Sequence, residues 1–202
     1  MKLHYMGKYD LDPESLPHGE HMPSAVPFRE AKDSKQLAVI ANIGAVLIMI
    51  LLAIPAAIRY RAFYGGFSLE DFPDLFLGLF VGAVISLVTV FPHELLHAVC
   101  FKEDVYLYTN LRQGLVFVIG TETMSKFRFV FMSALPNVVF GVVPYILGMI
   151  FPNLVWLLSF GILAVGMGAG DYYNVFNAAT QMPRGARTYL YRFNSYWYMP
   201  QS

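Results

Sequence analysis

The sequence predicts an all-α integral membrane protein with four transmembrane helices and a short cytoplasmic-side β-hairpin between the second and third. Three observations carry that prediction. Of 202 residues, 56% are apolar and only 14% charged, whereas an ordinary globular chain has about 25% charged residues. The apolar residues gather in runs of about 20, the length a helix needs to cross a roughly 30 Å hydrocarbon core. The Lys and Arg residues, finally, are distributed very unevenly among the segments between those runs. Composition also excludes two classes. Fourteen basic residues balance fourteen acidic ones, so there is no electrostatic footprint for nucleic acid. A single cysteine excludes a disulfide framework and any multi-cysteine zinc site.

Residues 1–35 are polar, and Pro13, Pro17, Pro23 and Pro27 keep them from forming a helix. No apolar run opens the chain, so no cleavable signal peptide is expected. The first span is Gln36–Ile58, without a charge. The second runs from about Leu75 to Phe101 and is interrupted by His93, Glu94 and His97. The third covers Phe129–Ile150 and the fourth Asn153–Gly170. Between spans two and three, Val105–Thr109 and Leu115–Ile119 are rich in β-branched and aromatic residues around a turn-like Asn110–Gly114, which reads as a hairpin. The tail carries Tyr189, Tyr191, Tyr196, Trp197 and Tyr198, as interfacial anchoring would. The chain therefore divides into a polar N-terminal segment (1–35), a four-span membrane domain (36–180) and an aromatic-rich tail (181–202).

Four spans place residues 1–35, the 102–128 connection and the tail on one side. That side holds twelve of the fourteen basic residues and the opposite side only Arg59 and Arg61. The excess of Lys and Arg on one side predicts that both termini are cytoplasmic.

Span two carries His93-Glu94-Leu95-Leu96-His97. Residues four apart share a helix face, so two imidazoles can grip one metal ion with a glutamate beside them. Composition alone would place roughly 0.004 such motifs in a chain of this length. A hydrolytic zinc takes three protein ligands and leaves a fourth position open. Two acids compete for the third place, Asp171 and Glu122. Depth favours Asp171: His93 lies 18 residues past Leu75 and Asp171 lies 18 past Asn153, each roughly 27 Å at 1.5 Å per residue. Gly166, Gly168 and Gly170 allow close helix approach before Asp171. Asn174, one turn further, can orient its carboxylate. Asn137 in span three can line the cavity, and Pro92 should kink span two. His4, His18 and His21 read as solvated, and Cys100 as a small apolar filler.

The motif at the cytoplasmic end of one span, with Gly-Asp171 on a later one, resembles a bacterial membrane family described as "putative zincin peptidases". It is also similar, distantly, to intramembrane metalloproteases of the site-2 class. The resemblance covers roughly residues 36–180. It implies Zn²⁺ held by His93, His97 and Asp171, with Glu94 as catalytic base. It also implies that the hairpin 105–119 presents substrate as an added strand. The expected function is a membrane-embedded zinc peptidase acting on peptide or membrane-protein substrates at the cytoplasmic surface of the bilayer. Two rival readings are a non-catalytic zinc-binding scaffold or sensor and an ion or proton transporter. Glu94 and Asp171 are the two acids placed at membrane depth without Lys or Arg beside them, which leaves a divalent cation as the natural partner.

Overall fold

A computed structural model of the chain describes residues 1–66, 68–192 and 194–200. The chain folds into two compact units, each assembled from separated stretches. One comprises Met1–Ala38, Glu94–Leu135 and Asp171–Ser202; the other comprises Val39–His93 and Pro136–Gly170.

The second unit is built on apolar helices, taking in most of the first and all of the second, fifth and sixth along the chain. Helix α1 spans Ser34–Tyr64, α2 Phe72–Val88, α3 Val90–Ala98, α4 Lys126–Asn137, α5 Val143–Ile150, α6 Val155–Met167 and α7 Ala169–Gln181. Ser34–Tyr64, Phe72–Ala98 and Lys126–Ile150 are long and apolar enough to cross a membrane. The bent pair Val155–Met167 and Ala169–Gln181 makes a fourth if counted as one span. Large side chains such as Ile54, Ile58, Phe76 and Leu87 face outward, and small ones fill the contacts between helices. A Cβ on Gly82 of α2 would lie 2.5 Å from the Ser159 Cβ of α6, and the Ser159 hydroxyl donates to the Leu79 carbonyl at 3.0 Å. Small residues at such contacts are compatible with helices that cross a membrane.

The breaks in these helices have local causes. Pro92 has no N–H to offer the Val88 carbonyl, and α2 ends at Val88. At the break, the Thr89 hydroxyl donates to the Ile85 and Ser86 carbonyls at 3.0 and 2.9 Å. Pro136 and Pro144 flank a wide π-type turn over Val138–Val142, another site where the regular ladder is interrupted. The fourth apolar stretch differs from the expected Asn153–Gly170. It bends at Gly168 and runs on to Gln181. A side chain at Gly168 would fall on the Asn137 Oδ1 atom. The glycine run therefore does more than let helices approach, because Gly168 leaves room for a buried amide.

The first unit corrects the all-α expectation. It contains a three-stranded sheet of order β1-β3-β4 and a four-stranded sheet of order β2-β7-β6-β5. The strands are β1 Leu3–Lys8, β2 Val26–Pro27, β3 Val105–Asn110, β4 Leu115–Gly120, β5 Met124–Ser125, β6 Arg187–Tyr191 and β7 Asn194–Tyr198. The hairpin between the second and third apolar stretches is present as β3 and β4, paired antiparallel from Val105↔Gly120 to Asn110↔Leu115. Gly114 closes its turn in the left-handed conformation (φ 65°) that glycine adopts without strain. The sequence concealed the rest. β1 pairs with β3 in parallel, and a parallel partner so distant in the chain leaves no local turn signal. β6 and β7 form a second antiparallel hairpin. Its turn places Arg192 at φ 57°, so the Asn or Gly that usually marks such a turn is missing.

Two small cores back these sheets, and the second ties its sheet to helical segments of the same unit. Tyr9, Leu16, Tyr108 and Ile119 form one; Phe28, Ala178, Met182 and Ala186 form the other, with Phe129 and Trp197 packed against it. Asp104 anchors the start of β1, accepting from the Lys2 amide at 2.8 Å and lying 3.0 Å from His4 Nε2. The His4 contact, with that amide, holds the Asp104 carboxyl below the usual carboxylate range.

Candidate metal centre

Helix α3 is nine residues long and holds the whole motif. The ligand-capable atoms of His93, Glu94 and His97 lie within 4.8 Å of one another. Helical spacing alone brings the two imidazoles to one face. His97 is buried, and His93 and Glu94 are partly buried.

His97 is held from both ring nitrogens. Its Nδ1 lies 3.0 Å from the Met132 carbonyl on α4. A carbonyl only accepts, so in the neutral ring Nδ1 carries the proton and Nε2 is the nitrogen able to ligate. That Nε2 lies 3.3 Å from Asp171 Oδ1, in the first turn of α7. Two ligands sharing a tetrahedral zinc at about 2.0–2.1 Å stand about 3.3 Å apart. The spacing and the nitrogen–oxygen donor set therefore fit a zinc ion.

Glu122, the competing acid, is committed elsewhere. Its Oε2 accepts from the backbone amides of Lys102 and Glu103 at 3.0 and 2.8 Å. Its Oε1 is paired with the Arg128 guanidinium. Arg128 in turn donates from Nη2 and Nε to the Cys100 carbonyl at 2.6 and 3.0 Å. This clamp, with Glu122 buried and Arg128 half-buried, fixes the chain where it leaves α3, two residues past the motif helix. Neither half of it was read from the sequence, because Glu122 and Arg128 form no recognisable motif. Replacing Arg128 with Met should strip the Glu122 carboxylate of its counter-charge and lower unfolding stability by about 3 kcal/mol. Zinc content should stay unchanged, as measured by thermal unfolding and metal analysis side by side.

The other expected residues fall as follows. Glu94 Oε2 accepts from the Val118 amide of β4 at 3.2 Å, a partner that no sequence pattern indicated. Asn137 is buried, with its amide over Gly168. Asn174 is half-buried, and its side chain makes no hydrogen bond among the described residues. The buried asparagine of α7 is Asn177, whose Oδ1 accepts from Gln181 Nε2 at 3.0 Å. His21 Nδ1 lies 3.0 Å from the Tyr189 hydroxyl, and His18 packs on the Tyr191 ring. Neither is in a metal-ligand group among the described residues. The Cys100 thiol donates to the Leu96 carbonyl at 3.4 Å.

Residues 86–187 match the profile of a family described as "putative zincin peptidase". No curated protein and no solved structure matches the chain.

Proposed function

The chain belongs to this zincin peptidase family, and from that premise we propose that it is a membrane-embedded, zinc-dependent peptidase cleaving peptide bonds near the cytoplasmic membrane surface. The observation that carries the reading is the 3.3 Å approach of Asp171 Oδ1 to His97 Nε2, on the helix that also bears His93 and Glu94. His93, His97 and Asp171 would hold the ion. A bound zinc supplies Lewis acidity, polarising the scissile carbonyl and lowering the pKa of water toward 7.

The chain's own groups do the rest. Glu94 accepts a proton from the attacking water and returns it to the departing amine. The Val118 amide fixes one carboxylate oxygen, so the base does not search among rotamers before each turnover. The Met132 carbonyl orients His97. β4 is the outer strand of its sheet, and the Val118 amide points to Glu94 and not to β3. An extended peptide pairing along that edge would pass the base, with main-chain hydrogen bonds supplying affinity. The substrate in this reading is an unfolded or extended segment of a peptide or membrane protein. The long apolar helices lie in the bilayer, and the basic residues of residues 1–35, 102–128 and the tail set both termini in the cytoplasm.

The test is metal removal. Protein reconstituted in liposomes should contain zinc and cleave a flexible segment tethered at the membrane surface. A strong chelator should abolish cleavage, and added zinc should restore it. Cleavage that survives complete zinc removal overturns the reading. Zinc that binds without any cleavage leaves the non-catalytic scaffold in its place.

A further inference from the structure

A second site lies within the apolar helical unit and uses none of the zinc-site residues. A half-open cavity of about 350 Å³ is lined by Tyr60 and Tyr64 of α1, Asp71 and Asp74 at the start of α2, and Asn153 and Trp156 near the start of α6; Tyr64, Asp74 and Trp156 are exposed at its mouth. We propose that this cavity binds an organic ammonium group, held by the Asp71 and Asp74 carboxylates against the Tyr60, Tyr64 and Trp156 rings.

Charge is the first argument. The lining contains two carboxylates and no Lys, Arg or His. Asp71 caps no amide of α2, and neither acid has an ion pair or side-chain hydrogen bond among the described residues. The nearby basic residues in sequence are directed elsewhere or stand outside the lining. Arg59 Nε donates to the Met149 carbonyl at 3.0 Å, and its guanidinium lies 5.8 Å from the Phe63 ring centre. Arg61 does not line the cavity.

The aromatic wall is the second argument. Acids in the first turn of a helix are favoured by the helix dipole alone, so the carboxylates by themselves would call for no ligand. The dipole does not explain three electron-rich rings gathered from two other helices around the same space. Tyr60 is buried, and its ring centre lies 4.6 Å from that of Tyr64. Aromatic walls with nearby carboxylates are how proteins hold ammonium groups, the ring faces attracting the cation.

Chemistry selects among cations. Calcium takes six to eight oxygen ligands and magnesium demands octahedral oxygen, and two carboxylates beside aromatic rings supply neither. An alkylammonium needs only charge, a few acceptors and a polarisable wall. The volume lies within the range of small-molecule pockets and suits a headgroup amine. Such a group is found both on ethanolamine- or choline-bearing lipids and on free amines.

The chain has two tryptophans, Trp156 and Trp197, so W197F leaves one reporter in the cavity. The full chain carrying W197F, in nanodiscs of phosphatidylglycerol alone, is titrated with tetramethylammonium, choline and ethanolamine. A saturable change in Trp156 emission is expected, with affinity at least tenfold weaker after Asp71→Asn plus Asp74→Asn. Nanodiscs containing phosphatidylethanolamine or phosphatidylcholine separate the sources. If the headgroup is the ligand, the site is already filled and the free amines lose their effect; if a free amine is the ligand, they keep it. Thermal unfolding of the double variant in detergent checks that its fold is intact, and the single Asp74→Asn variant provides a milder change if it is not. The proposal is overturned by no saturable response, by an equal response in the acid-to-amide variants, or by a response to calcium or magnesium and not to amines. Glu94→Gln should bind amines as the wild type does, which keeps this result separate from the peptidase reading.

Discussion

Glu94→Gln is expected to lower turnover by about 10²–10⁴-fold while zinc content and unfolding temperature remain those of the wild type. Glutamine has the shape of glutamate, and its amide oxygen can still accept from the Val118 amide that holds Glu94 Oε2 at 3.2 Å. The contact to β4 therefore survives, and so does the placement of His93 and His97 on α3. Only the capacity to take up and release a proton is lost. Single-turnover cleavage in liposomes, read beside metal analysis, isolates that loss from any change in binding. A variant that cleaves at the wild-type rate would remove Glu94 from the mechanism. A variant that loses its zinc would mean that Glu94 is a ligand and not the base.

The second large effect concerns Asp171. Replacing it with Ala should weaken zinc binding by more than the 10–100-fold that loss of a supporting partner costs, because the carboxylate beside His97 Nε2 is removed outright. Asp171→His, which keeps a zinc ligand at the same place, should recover part of the affinity. Saturating zinc should also raise the unfolding midpoint of the wild type, by about 4 kcal/mol of stability at a thousandfold excess over Kd. Asp171→Ala should show almost none of that gain. Glu122→Ala is the control: it breaks the clamp with Arg128 and should cost stability without costing zinc. If zinc is lost from Glu122→Ala and kept by Asp171→Ala, the two acids exchange roles.

Several features were legible in the chain because they are written locally. The apolar runs of α1, α2 with α3, and α4 with α5 read as long helices, since length and hydropathy suffice. The β3–β4 hairpin was legible from two β-rich runs around Gly114. The helix break near Pro92 follows from a missing N–H. What stayed hidden depends on partners distant in sequence. β1 is a strand because β3 lies beside it, and the tyrosine-rich tail is a hairpin although Arg192 occupies its turn. Asn137 and Asn174 were both singled out; Asn137 is buried, but Asn174 is only half-buried and the buried asparagine of α7 is Asn177, because burial depends on what packs against a face.

The sequence by itself determined that two histidines and a glutamate share one helix face within an apolar stretch. That follows from the 3.6-residue period, and no tertiary contact is needed for it. Only the tertiary structure decided which acid stands beside His97. Asp171 and Glu122 are alike as carboxylates, and both follow the motif in the chain. The fold brings Asp171 to 3.3 Å from the imidazole and commits Glu122 to Arg128 and two backbone amides. A carboxylate becomes available to a metal only when no nearer cation or donor has claimed it, and that competition is settled by packing across distant parts of the chain.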